Sequence, residues 1–160
     1  MPAKKTCAFK SSRGFSLIEL IVILVIVGIV AVAAIPRFFD RHVFDSRAFN
    51  DQMLAAIRYA QKTSIAQRRT VCVNFGVNSV SLIMATNTVP STNCSPTTHL
   101  STPSGVSPYV ITASSGVSFS ATPSSFQFNA LGQASVGQTI QVTGVAESIT
   151  VERETGYVHP

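Results

Sequence analysis

Gly14 to Leu24 reads GFSLIELIVIL, and the placement of Glu19 within it decides how the rest of the chain is read. A carboxylate at the middle of a helix in lipid costs roughly 2.5–3.5 kcal/mol. Three readings of the stretch compete. The first is a secretory signal with a basic start, an apolar middle and a small-residue cut after Ala33. The second is a plain membrane anchor that keeps its basic tail. The third is a leader cut on the cytoplasmic side, between Gly14 and Phe15. Glu19 has no use in a discarded signal and is a pure cost in a plain anchor. In the third reading it gains a partner, because cleavage creates an ammonium group on Phe15. When such helices bundle, the amine of one copy meets the carboxylate of its neighbour. Each charge is costly alone in lipid, whereas the pair is tolerated inside a bundle. The pairing also sets axial register, as one buried polar residue does in a coiled coil.

The surrounding composition agrees. From Leu20 to Ile35 no residue is charged or strongly polar, in a chain of 160 residues that is only 12% charged overall. At 1.5 Å per residue, the run from Phe15 to Ile35 reaches about 30 Å, enough for a bilayer core. The formal charge of +5 is concentrated upstream of it: Lys4, Lys5, Lys10 and Arg13 precede Gly14. That asymmetry holds a tail in the cytoplasm and sends the other side across the membrane. It is weak evidence for nucleic acid.

Pro36 closes the apolar run and is expected to kink the helix there or mark a new start. Beyond it the pattern turns amphipathic. Phe38, Phe49, Met53, Ile57, Ala60 and Ser64 share one helical face, with Phe44 and Ala56 beside it. The expectation is one helix from about residue 15 to 67, bent near Pro36.

At Thr70 the period changes from helical to alternating. Thr70–Phe75 and Ser79–Met84 flank Gly76-Val77-Asn78 as a hairpin. Residues 86–108 form a long loop that holds Cys94. Further strands are expected at Tyr109–Thr112, Val117–Ser120, Ser125–Asn129, Thr139–Val142 and Ser148–Arg153. Turns are expected at Leu131-Gly132-Gln133, Gly144 and Thr155-Gly156. The fold class is therefore α+β: a long N-terminal helix, transmembrane and then amphipathic, packed on an antiparallel sheet or sandwich. The organisation expected is a basic leader (1–14), a transmembrane and assembly helix (15–36), its amphipathic half (37–68) and a β-domain on the far side of the membrane (69–160).

Cys7 lies in the basic tail. If that tail is removed, Cys72 and Cys94 remain as an even pair on the side of the membrane where disulfides persist. A bridge would close a loop of about 20 residues, worth about 3 kcal/mol on the loop-entropy account. Two separate thiols are the alternative.

Gly14-Phe15-Ser16-Leu17-Ile18-Glu19-Leu20, the apolar run and Pro36 resemble the N-terminus of type IV pilins and type II secretion pseudopilins. That resemblance implies cleavage after Gly14 and methylation of the Phe15 amine by prepilin peptidase. It also implies export to the bacterial inner membrane with a periplasmic C-terminal domain, and then incorporation beside other pilin or pseudopilin subunits. The stretch Leu54–Ala60 with the Thr70–Phe75 strand is similar to the H-type pseudopilin and FimT group of minor pilins. So are Phe126–Gly132, Ile149-Thr150-Val151 and Gly156-Tyr157-Val158. Cys72 together with Thr155–His159 resembles minor pilins of the mannose-sensitive haemagglutinin (MSHA) pilus.

Little else in the sequence carries chemistry. His42, His99 and His159 lack ligand spacing, no Cys-x-x-Cys exists, and no metal or other cofactor is expected. No Gly-x-Ser-x-Gly elbow is present and no catalytic residue is assigned. Glu152 and Glu154 read as a solvated strand edge. Arg68-Arg69 is the one basic cluster after the apolar run and suits a helix C-terminus. DNA contact, which some FimT-like minor pilins make near a basic C-terminus, is the alternative. Here only Arg153 lies near that end, which counts against it.

Overall fold

The computed structural model describes residues 14–39, 41–86, 94 and 98–160, without the side chains of 32–39. The basic leader and Cys7 lie outside the described residues. The chain divides after Phe39 into two compact units.

The first unit holds α1 (Leu17–Phe39). The Leu20 amide donates to the Ser16 carbonyl at 3.1 Å, so the helix begins at Ser16. α1 runs through Pro36 rather than breaking there. A proline removes a single backbone bond, and the neighbouring helical bonds hold the backbone across that loss. Among the described residues no helix is long and apolar enough to cross a membrane. The described side chains of α1 end at Ala31, and all those from Phe15 onward are exposed.

The second unit opens with α2 (Arg41–Gln67). The single helix expected over residues 15–67 is described as α1 and α2, helical on both sides of residue 40, which lies outside the described residues. Phe49, Met53, Ala56, Ile57 and Ala60 are buried with Ser64 along α2, at the i, i+3, i+4 spacing of one face. Phe44, expected beside that face, is exposed. Phe38 falls among the side chains outside the description.

α2 ends in a Schellman motif. The Arg69 amide donates to Ser64 O at 3.1 Å and the Arg68 amide to Ile65 O at 3.3 Å. Arg68 sits at φ +50°, in the left-handed region that glycine normally fills at this position.

The strands are β1 (Val71–Phe75), β2 (Ser79–Met84), β3 (Val110–Thr112), β4 (Phe126–Phe128), β5 (Gln138–Ile140), β6 (Ile149–Val151) and β7 (Val158–His159). They form two sheets, ordered β3-β2-β1-β4 and β5-β6-β7, and every pairing is antiparallel. The expected hairpin is present, with Phe75 opposite Val80. Two expectations change. Val117–Ser120 makes an isolated bridge, Phe119 to Val142, in place of a strand. Glu152 and Glu154 lie beyond the end of β6, in the turn that leads to β7.

One apolar core joins the face of α2 to both sheets. Val71, Val73, Leu82 and Phe128 from the larger sheet meet Ile140, Ile149 and Val151 from the smaller one. Phe126 and Phe128 pack edge to face at 5.2 Å, and Phe49 tilts on Phe119 at 5.6 Å. Fully burying one such ring is worth about 1.5–3 kcal/mol. Alternation along β1 points Val71 and Val73 into this core and Cys72 to the opposite side.

Candidate functional site

Gly14, Phe15 and Glu19 stand together at the start of α1. With Ser16 as the N-cap, Glu19 is the third helical residue, so Ser16 and Glu19 have the Ser-x-x-Glu spacing of a capping box. Glu19 is the only charged residue from Gly14 to Ala31. A carboxylate in the first turn also suits the positive end of the helix dipole.

Among the described residues, a Cβ built at Gly14 meets nothing within 4 Å. The side chains that follow are exposed along the whole described length of α1: Leu17 at 76%, Ile21 at 47% and Val27 at 58%, for example. A surface this apolar on every side needs cover from lipid or from other protein. Pro36 is seventeen residues from Glu19, about 25 Å along the helix, and is not part of the cluster.

In the second unit Cys72 and Cys94 are joined by a disulfide. It ties the outer side of β1 to the long loop. The described end of that loop returns along β2, where Met84 N donates to Thr98 O at 2.9 Å and Leu100 N to Leu82 O at 3.1 Å. Leu100 is thereby buried in the core.

Other residues lying far apart in the sequence meet at the C-terminal end of α2. Arg58 Nε donates to Val158 O at 3.0 Å. Gln61 Nε2 donates to Gly132 O at 3.3 Å and to Thr155 O at 3.1 Å. Arg58, Gln61, Lys62, Tyr157 and Val158 line a cavity of about 400 Å³. Tyr157 is exposed and stacks on His159 with ring centres 5.1 Å apart. Sequence reasoning singled out only Arg68-Arg69. The i, i+4 spacing of Arg58 and Lys62 was the available signal for the larger basic surface.

The histidines stay apart. His159 Nε2 lies 3.5 Å from Glu152, His42 packs on Gly116, and His99 bridges to Ile83. Among the described residues, no three His, Cys, Asp or Glu side chains are grouped to hold a metal ion. Beside Tyr59, the Tyr109 hydroxyl is held above its ordinary pKa, first by burial and then by the neighbouring phenol.

Residues 9–35 match the family of the prokaryotic N-terminal methylation motif. No curated protein and no solved structure matches the chain. The motif supports a type IV pilin-like or pseudopilin protein, processed by prepilin peptidase and assembled with pilin subunits. It points to a structural subunit rather than an enzyme.

Proposed function

We propose that this chain is a minor pilin or pseudopilin, a subunit of a type IV pilus or type II secretion filament. In this reading the leader through Gly14 is removed, Phe15 becomes an N-methylated terminus, and α1 is stored in the inner membrane. The second unit stands in the periplasm until the subunit is drawn into a filament. The observation that carries the reading is Glu19. It is a lone carboxylate in the first turn of a helix whose described apolar side chains are exposed on every face.

Two further features support it. A Cβ at Gly14 meets nothing among the described residues, which suits a position read by a peptidase. In the sequence, the run from Phe15 to Ile35 carries Glu19 as its one charge and has about the length of a bilayer core. Pro36 marks where the storage helix leaves the lipid. Within the wider family, the H-type pseudopilin and FimT group, and the MSHA minor pilins inside it, fit the β1–β2 hairpin and the Gly156-Tyr157-Val158 ending best.

Intact-mass analysis of the chain isolated from its native host tests the reading. The expected species begins at Phe15 and carries one added methyl group. A mature terminus after Ala33, or a retained leader, overturns it. Glu19→Ala is then expected to be cleaved normally but to be lost from filaments. Wild-type incorporation of that variant removes the pairing role.

A further inference from the structure

Residues 52–146 contain no Asp or Glu. Four cations fall in that interval, Arg58, Lys62, Arg68 and Arg69, all on the second half of α2 or its cap. None of the four makes an ion pair among the described residues. Arg69 is accounted for in part, since it donates to Thr86 O. Lys62 and Arg68 are exposed, and Arg68 is held in a backbone conformation that favours glycine. Between them lie exposed apolar side chains beside the exposed amide of Gln67. Ile65 lies against Gly132, which places exposed Leu131 alongside, and exposed Tyr157 closes the cavity next to Lys62. An apolar centre with a cationic rim suits a protein surface carrying carboxylates. A bare polyanion would leave that centre uncovered.

The same unit carries the complement at the other end of α2. Asn50, Asp51 and Glu147 line a cavity of about 180 Å³ together with Arg47, Val145 and Ala146. Asp51 and Glu147 are exposed, and Arg47 offsets one of their two charges. Asn50 is only 4% exposed, and its Oδ1 has no hydrogen-bond partner among the described residues. An unmet acceptor beneath two carboxylates calls for a donor that is also a cation.

We propose that two copies of this chain dock through these complementary faces: the surface formed by Lys62, Arg68, Leu131 and Tyr157 on one copy meets the Asn50–Asp51–Glu147 cavity of the other. A lysine or arginine side chain of one copy brings N–H donors to Asn50 Oδ1 and positive charge to the carboxylates. Asp51 and Lys62 are eleven residues apart on α2, nearly the same side of the helix, so both pairs of patches can engage at once in a two-fold contact. The inference rests on the filament reading only for its setting. N-terminal mass tests that reading separately, and the contact is measurable on unprocessed chain.

The test uses full-length chain in detergent micelles, followed by sedimentation velocity at about 0.05 M and about 0.5 M salt, which bracket the screening of exposed charge pairs. One variant carries Lys62→Glu and Arg68→Glu. The other carries Asp51→Lys and Glu147→Lys. All four side chains are exposed, so both variants should keep the wild-type circular dichroism. Wild type is expected to self-associate in a salt-sensitive way beyond any salt-insensitive association through α1. Each variant alone should lose at least about tenfold in that affinity, since like charges then face each other. Mixing the two variants should restore it. Self-association that ignores salt and both charge reversals overturns the proposal. So does binding of a single-stranded oligonucleotide that Lys62→Glu with Arg68→Glu abolishes while self-association is unchanged.

Discussion

Gly156 lies so close to Gly132 that a Cβ added at 156 would stand 1.8 Å from the Gly132 carbonyl oxygen. The 129–133 and 154–157 turns are thus pressed together, and Gln61 of α2 bridges them by donating to one carbonyl of each. Gly156 also sits at φ +64°. Gly156→Ala should therefore lose stability twice, through the left-handed backbone and through overpacking against main chain. The expected loss is about 2–5 kcal/mol, read as a lower urea midpoint. An unchanged midpoint would show that the turns can separate freely.

Arg68 offers the opposite experiment. A residue with a Cβ at this cap is strained, and glycine is not. Arg68→Gly is expected to raise stability by roughly 0.5–1 kcal/mol. The measurement belongs at about 0.5 M salt, where the lost surface charge matters least. A fall in stability would mean that the guanidinium makes a contact worth more than the strain.

The Cys72–Cys94 bridge closes a loop with a sequence separation of 22. Replacing both cysteines by serine should lower stability by about 3 kcal/mol on the loop-entropy account. The comparison is the denaturant midpoint of oxidised wild type against the double variant. Hydrogen exchange at Leu100 should rise in parallel, because the loop that carries it loses its tether to β1.

Tyr109 governs the alkaline limb. Burial and Tyr59 raise its folded-state pKa above the ordinary value of 10.0. Below pH 10 the phenol is protonated in both folded and unfolded chains and adds no pH dependence. Above pH 10 the unfolded chain ionises first, so stability falls as pH rises toward and through the folded pKa. Tyr109→Phe should flatten that fall. Absorbance at about 295 nm, where tyrosinate forms, should show one phenol titrating late in the folded wild type.

Much of this architecture was legible because it repeats locally. Phe49, Met53, Ile57 and Ala60 announced the buried face of α2 by spacing alone, and the alternation of Val71 and Val73 with Cys72 and Asn74 announced β1. The hairpin to β2 followed from Gly76-Val77-Asn78 between two β-branched runs. The break or new start expected at Pro36 is not seen, because one missing backbone bond does not stop a helix. β7 has two residues, too few to show a period. Phe44 has the spacing of a core residue but is exposed, because spacing reports direction around the helix and not whether anything covers it there.

The motif at Gly14, Phe15 and Glu19 was legible for a different reason. A glycine, a phenylalanine and a glutamate at fixed separation need no tertiary structure to be recognised. The knot formed by Gln61, Gly132 and Gly156 needs all of it. Its members are 24 or more positions apart, and each is an ordinary residue until the chain has folded.

Every buried core side chain among the described residues falls between Phe49 and Val158. The second unit therefore has a core of its own among the described residues. In the filament reading proposed above, a self-contained core of this kind lets the unit stay folded while the apolar helix exchanges one covering environment for another.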